Sequence, residues 1–157
     1  IMSSDWSSDV CSSDLGVHIK QYHAKRPVLV FGGRVRDFFG EYMAGGLLIA
    51  LGLDIKEDGT FTKIDDQPIA GDSLATGIHG GKILLARAPE EIPCRYVGIG
   101  SKIVDLDDDD WADLKGVLDD YSKIFKINMD KLMKIPFCKI IPVSKRPFAS
   151  NYCKGNL

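Results

Sequence analysis

Two glycine-rich stretches that end in lysine are the first candidates for chemistry, since the backbone amides of such loops can bind phosphate. They are GIHGGK (77–82) and GIGSK (98–102). A phosphate loop requires the spacing Gly-x-x-x-x-Gly-Lys-Ser/Thr between a strand and a helix, because only then do several N–H groups point at one anion. Neither stretch has that spacing, and we interpret both as structural turns.

An acidic run, DLDDDDWADLKG (105–116), has some features of a calcium loop. Asp105, Asp107 and Asp109 occupy positions 1, 3 and 5, but position 6 is aspartate instead of glycine, and position 12 is glycine instead of glutamate. We therefore predict no calcium site. Carboxylates at 107–110 instead favour the start of a helix, where they cap unpaired N–H groups and oppose the positive end of the helix dipole.

His79 lies beside Gly80, where an imidazole could serve as a general base or a metal ligand. No second ligand stands at metal-like spacing, and no serine or cysteine completes a nucleophilic motif with it. We therefore favour a turn-stabilising or surface histidine. The sequence also shows no dinucleotide fingerprint, and we predict no catalytic residue, no metal ligand and no directly bound cofactor.

The four cysteines are widely spaced and form no CxxC pair; they are Cys11, Cys94, Cys138 and Cys153. This arrangement indicates reduced cytoplasmic thiols in preference to disulfides or a zinc site, and it offers no cluster of ligands for iron–sulfur.

The composition is that of one soluble globular domain, with 157 residues that are 45% hydrophobic and 27% charged. No apolar run approaches the roughly 18 residues of a membrane-spanning helix. The net charge is -2, and removing Asp5, Asp9 and Asp14 of the opening leaves 20 basic and 19 acidic residues. A balance so near neutrality argues against nucleic acid or a membrane as partner.

The elements that would position these residues follow a repeat. At an offset of 20 residues, GVHIKQYHAKRPVLVFG (16–32) aligns with RDFFGEYMAGGLLIALG (36–52). The apolar run at 28–31 then falls on the run at 48–51.

The same plan recurs at an offset of 35 residues. DSLATGIHGGKILLA (72–86) aligns with DFFGEYMAGGLLIAL (37–51), so that the pair at 80–81 falls on the pair at 45–46. The extra length is KEDGTFTKIDDQP (56–68), which we interpret as a polar loop.

Repeats of about twenty residues, each with a short strand and a glycine turn, predict an all-β solenoid in the form of a parallel β-helix. The structural turn glycines are Gly45, Gly46, Gly80 and Gly81, which would permit positive φ or close backbone approach. An antiparallel meander with glycine turns remains the alternative.

One segment predicts a helix, because apolar residues recur every three or four positions at Trp111, Leu114, Leu118, Tyr121 and Phe125. We expect this stripe to pack on the solenoid wall or to close its end.

The sequence divides accordingly. Residues 16–104 would form the β-helix, and 105–157 the helix with an extended tail packed on it. Within the second part we expect a shorter helix at 130–134 and an extended KIIPVSKRP (139–147).

DFFGEYMAGGLLIALGL (37–53) and ATGIHGGKILLAR (75–87) resemble the GXGXG domain at the C-terminal end of the glutamate synthase large subunit, in its stand-alone, archaeal-type version. The resemblance implies a right-handed parallel β-helix in a cytoplasmic protein. It also implies a non-catalytic role, bracing an amidotransferase subunit and an FMN/iron–sulfur subunit that hold the cofactors.

Two alternatives remain open. A subunit of formylmethanofuran dehydrogenase and relatives of N-methylglutamate synthase share the same family fold, so either complex could be the one served. The chain could instead be an independent enzyme or a ligand-binding domain that uses its glycine-rich turns.

The opening IMSSDWSSDVCSSDL (1–15) repeats Ser-Ser-Asp three times and lacks the pattern of a signal peptide. DVCSSDL back-translates to the end of a common sequencing adapter, and the resemblance starts directly after it. We expect residues 1–15 to be unstructured adapter translation joined to a gene that has lost its upstream coils.

Overall fold

The computed structural model describes residues 26–143, so the predicted adapter segment lies outside the described residues. The described elements are, in chain order, β1 (Val28–Phe31), β2 (Ala44–Ala50), β3 (Leu53–Ile55), β4 (Phe61–Lys63), β5 (Gly80–Leu85), β6 (Ser101–Val104), α1 (Asp108–Phe125), α2 (Met129–Leu132) and β7 (Cys138–Pro142). Short 3-10 turns at Pro89–Glu91 and Cys94–Tyr96 connect β5 to β6. Within this part of the chain, one sheet has the order β1-β2-β5-β7-β6, and β3 pairs with β4 in a separate hairpin.

The predicted all-β solenoid, a right-handed parallel β-helix, is wrong. The structure is a small mixed α/β domain in which β1, β2 and β5 are parallel, whereas β7 is antiparallel to both of its neighbours. The physical reason is that α1 and α2 follow β6 and turn the chain back, so that β7 enters the sheet between β5 and β6 in the opposite direction. The antiparallel meander does not describe the three parallel strands either.

The register predicted at an offset of 35 is confirmed for the apolar runs but is wrong for the glycine pairs, because the register shifts between Ala44 and Leu47 so that Gly80 pairs with Ala44 and not with Gly45. Leu48, Ile49 and Ala50 of β2 pair with Ile83, Leu84 and Leu85 of β5. The offset of 20 is one residue too long, because β1 starts opposite Leu47 and not opposite the next residue. A slip of one residue turns each side chain to the other face of the sheet. In the observed register, the apolar run of β1 lies beside residues 47–50, the buried run of β2. The predicted register was wrong because it aligned identical glycines.

Both faces of the sheet are covered, and this explains why its central strands are apolar at consecutive positions instead of alternating ones. On one face α1 contributes Leu114 and Leu118, both fully buried. The segment before β2 covers the other face with Phe39, and Gly40 lies so close to Ile83 that a Cβ there would overlap its side chain. The core therefore consists of helix, sheet and loop layers.

The predicted helix is confirmed as α1. Its N-cap is Asp107, whose carboxylate accepts a hydrogen bond from the Asp110 amide at 2.9 Å, while the Asp110 carboxylate accepts one from the Asp107 amide at 3.2 Å. This reciprocal capping satisfies N–H groups that the first helical turn leaves unpaired. The chain leaves the helix at Lys126 with φ of 55°. Leu114 and Leu118 of the predicted stripe pack on the mixed sheet, and not on a solenoid wall, whereas Phe125 at its end is 47% exposed.

The shorter helix predicted at 130–134 lies at Met129–Leu132, where the Asn128 side chain accepts a hydrogen bond from the Lys131 amide at 2.9 Å. The segment predicted to be extended at 139–147 supplies β7 as an internal strand of the sheet, up to Pro142. Its residues beyond 143 lie outside the described part of the chain.

The polar stretch 56–68, predicted to be a loop, contains the turn and second strand of the β3–β4 hairpin. The Lys56 amide donates to the Thr60 carbonyl oxygen at 2.9 Å, and Gly59 has φ of 81°. The sequence signal for this hairpin was the pair Asp58-Gly59, which favours hairpin turns. It stands between two short runs that contain apolar residues.

Candidate functional site

The four predicted turn glycines lie at the starts of two paired strands, Gly45 and Gly46 in β2 and Gly80 and Gly81 in β5. Gly46 and Gly81 have φ of 85° and 76°, in the left-handed region. A Cβ on Gly80 would overlap the Ala44 carbonyl oxygen, and one on Gly81 would lie 2.7 Å from the Gly45 carbonyl carbon. These glycines therefore allow the backbones of β2 and β5 to approach closely where the two strands begin.

The amides of the GIHGGK stretch are engaged in backbone hydrogen bonds. The amides of His79 and Gly80 both donate to the Met43 carbonyl oxygen, at 2.9 and 3.1 Å, and the Gly77 amide donates to the Ile99 carbonyl oxygen at 2.9 Å. An anion would have to compete with these bonds, so the stretch joins neighbouring chain segments.

His79 is half-buried, and its Nδ1 lies 2.6 Å from the Gly77 carbonyl oxygen, to which it donates its proton. This is the geometry of a turn-stabilising histidine. Among residues 26–143, no group of three histidine, cysteine or acidic side chains is placed to hold a metal ion. Neither described helix combines the length and the apolar character that a bilayer crossing requires.

Two cysteines lie in the described part of the chain, and both are thiols: Cys94 is exposed and Cys138 is buried. Burial raises the pKa of Cys138 to about 12, so this side chain stays protonated and unreactive near neutral pH. Cys11 and Cys153 lie outside the described residues.

A buried carboxylate, Asp110, joins α1 to the sheet. Its side chain is 2% exposed and forms ion pairs with Lys139 of β7 and Lys82 of β5. Lys139 also reaches Asp107 at 2.8 Å, and Lys82 reaches Asp113 at 3.2 Å. Burial alone would raise the pKa of Asp110, but hydrogen bonds from the two ammonium groups and from a backbone amide outweigh it and hold this pKa far below its usual value. The cluster fixes the start of the helix on β5 and β7.

An exposed set of apolar side chains remains once these groups are accounted for. Tyr42, Ile99 and Val143 are 54%, 86% and 61% exposed, and we call these three residues the apolar row. Single exposed apolar residues are common on protein surfaces, whereas contiguous ones mark surfaces that bind something.

Backbone hydrogen bonds and one ring contact bring the apolar row together from separate chain segments. The Tyr42 ring packs on Gly77, where a Cβ would lie 2.6 Å from two ring carbons. Gly77 is in turn hydrogen-bonded to the Ile99 carbonyl. The Val143 amide donates to the Gly100 carbonyl oxygen at 2.9 Å, next to Ile99. The row therefore crosses neighbouring segments at the ends of the sheet strands.

Two exposed aromatic residues in the loop before β2 have left-handed backbone. Tyr42 has φ of 51°, and Phe38, four residues earlier in the same loop and 47% exposed, has φ of 61°. Left-handed backbone costs a residue with a Cβ about 1–2 kcal/mol. Ser73 and fully buried Ala75 have the same backbone in the loop before β5, so this cost is not confined to exposed residues. The sequence analysis did not single out these residues, because an aromatic side chain does not indicate positive φ. The available signal was that both aromatic residues lie in a glycine-rich loop.

The comparisons with known proteins found one relative at substantial identity. An uncharacterized protein of Methanocaldococcus jannaschii is 39% identical over 140 residues, which is 87% of this chain and 50% of that protein. The chain thus spans about half the length of the curated relative it matches. No family model and no solved structure matches the chain.

Proposed function

We propose that this chain is a non-catalytic structural domain that docks on protein partners through the apolar row. The observation that carries the proposal is the row itself, in which Ile99 is 86% exposed and Tyr42 stays exposed on strained backbone. Tyrosine is enriched in the buried centre of protein interfaces, and Ile99 and Val143 would add apolar surface beside it. The sheet, covered on both faces, offers a rigid body on which partners can be held in fixed relation.

The partners we propose are the amidotransferase and FMN/iron–sulfur subunits of a cytoplasmic complex of the glutamate synthase type. The support is the resemblance of residues 37–53 and 75–87 to the GXGXG domain. In such a complex the partners hold the cofactors and carry out the chemistry. Formylmethanofuran dehydrogenase and N-methylglutamate synthase are the alternative complexes.

A matched pair of variants tests the docking role. Ile99→Glu places a carboxylate in the apolar row, and Ile124→Glu makes the same change at an isoleucine of α1 that is 73% exposed. The control lies away from the row, because this end of α1 packs near Gly32 after β1, where a Cβ would lie 2.5 Å from the Tyr121 hydroxyl oxygen. The row, in contrast, lies where β2, β5 and β6 begin.

The measurement is the amount of partner subunit, identified by mass spectrometry, that co-purifies with the tagged chain from the cells that encode it. Wild type and Ile124→Glu should retain equal amounts, and Ile99→Glu should lose about ten-fold or more, because a carboxylate would be desolvated in the interface. Equal retention by all three proteins would refute docking through the row.

A further inference from the structure

A cleft of about 300 Å³ lies between the segment after β4 and the 3-10 turns that precede β6. This volume is at the lower end of the range for small-molecule sites. Its polar lining consists of Asp65, Asp66, Gln67, Arg87, Glu91 and Arg95, and apolar groups that include Ile69, Pro93 and Tyr96 complete the wall.

Arg87 forms a fixed floor for this cleft. Its side chain is 5% exposed, and its guanidinium donates to the Ala86 carbonyl oxygen at 2.7 Å and to the Ile64 carbonyl oxygen at 2.6 Å. These bonds hold the end of β5 and the chain after β4 together. The two sides of the cleft are therefore held at a set distance without a ligand, which lowers the cost of binding one.

Part of the charge in the cleft is neutralised within the protein. Glu91 accepts from Lys63 at 2.5 Å and lies 3.8 Å from Nε of Arg87, while Asp65 lies 3.3 Å from the Lys63 ammonium. The positive charges of Lys63 and Arg87 are therefore neutralised by the carboxylates of Asp65 and Glu91.

Two further charged groups of opposite sign line the cleft, and both are exposed to solvent. Asp66 and Arg95 line the same cleft, and neither has an ion-pair partner among residues 26–143. Arg95 is held over the Tyr96 ring at 4.9 Å and donates to the Tyr96 hydroxyl oxygen at 3.2 Å. The guanidinium keeps further N–H donors for a ligand, since it has five in all.

We infer that this cleft binds a free α-amino acid, with the ligand carboxylate at Arg95, the ligand ammonium at Asp66 and the ligand side chain on the apolar wall. A simple anion would meet three carboxylates, and a simple cation would meet two guanidinium groups. A zwitterion satisfies both unpaired charges at once, each through a charge-assisted hydrogen bond. This inference goes beyond the docking role and does not depend on it, because the cleft and the apolar row share no residue.

The test is isothermal titration calorimetry of the full chain with L-leucine, L-phenylalanine and L-glutamine. We expect at least one of them to bind with a dissociation constant of about 1 mM or tighter. For L-leucine, the matched probes are N-acetyl-L-leucine, which lacks the cation, and L-leucinamide, which lacks the carboxylate. Each should bind about two- to five-fold more weakly, since each loses its ion pair with one exposed side chain of the cleft. The same pair of derivatives is used for whichever amino acid binds.

Asp66→Asn and Arg95→Gln should each weaken binding by about two- to five-fold, because each removes one exposed ion pair with the ligand. Asp54→Asn and Lys115→Gln are the controls, at exposed positions outside the cleft, and they should leave binding unchanged. Absence of heat with all three amino acids up to about 10 mM would overturn the inference. The inference would also be overturned if the acetylated or amidated derivative bound as tightly as the free amino acid. Wild-type affinity in both cleft variants would overturn it too.

Discussion

Gly80 begins β5, and its lack of a side chain lets this strand approach β2. In Gly80→Ala the new Cβ would overlap the Ala44 carbonyl oxygen and lie 2.7 Å from the Ala44 carbonyl carbon. Both atoms belong to the backbone of a strand in the sheet, so they cannot move aside as the end of a flexible side chain can.

The expected cost follows from two opposing effects. Overpacking a well-packed site costs about 1–3 kcal/mol, and contact with backbone puts this case near the upper end. Replacing glycine by alanine also restricts the unfolded chain, which returns about 0.4–1 kcal/mol. We expect Gly80→Ala to lower the free energy of unfolding by about 2 kcal/mol, which corresponds to a fall in Tm of roughly 4–8 °C for a domain of this size.

Two other glycines separate the causes. Gly100 has φ of 87° and open space around it, so Gly100→Ala should show backbone strain alone, about 1–2 kcal/mol. Gly116 lies on the exposed face of α1 with nothing within 4 Å, and Gly116→Ala should stabilise the protein by about 0.5–1 kcal/mol.

The assay is urea unfolding at constant pH, followed by circular dichroism, with thermal unfolding as a second measurement. If the free energy of unfolding of Gly80→Ala lies within about 0.5 kcal/mol of wild type, the close approach of β2 and β5 is not as described.

Three further predictions concern buried groups. Asp110→Asn should lower the free energy of unfolding by about 1.5–3 kcal/mol, because Lys82 and Lys139 lose the buried carboxylate that both contact and keep only Asp113 and Asp107. Asp120→Asn on the exposed side of α1 should change it by less than about 0.5 kcal/mol, and a loss below about 1 kcal/mol for Asp110→Asn would refute the buried pairing. Because the folded-state pKa of Asp110 lies below its ordinary value of 3.8, its ion pairs stabilise the fold above that pH and lose this effect as the pH falls toward the folded-state pKa. The difference in stability between wild type and Asp110→Asn should therefore narrow below about pH 4, and a constant difference down to about pH 2 would contradict the sign of the shift. Iodoacetamide at about pH 8 should modify exposed Cys94 in the folded protein and leave Cys138 intact until urea is added, as peptide mass spectrometry will show; equal rates would contradict the burial of Cys138.

Local signals in the sequence predicted local structure well. The acidic residues at 107–110 and the apolar spacing that follows them indicate an N-cap and one buried helix face, and α1 has both. The offset of 35 predicted the parallel register of the apolar runs of β2 and β5, but it did not predict the register shift that places Gly80 opposite Ala44.

The arrangement of distant segments could not be predicted in the same way. An apolar run such as that of β7 pairs equally well in either direction, and its direction depends on how α1 and α2 turn the chain. The exposure of Tyr42 and Ile99 likewise depends on which loops end up side by side, and no spacing within one segment reports that.

The most direct test of the docking account is the visible absorption spectrum of the material that co-purifies with the tagged wild-type chain. We expect a protein complex whose spectrum shows flavin and iron–sulfur bands, both contributed by partner subunits. A chain that elutes alone at monomer size, with no such absorption, would contradict the proposal that it braces an FMN/iron–sulfur partner.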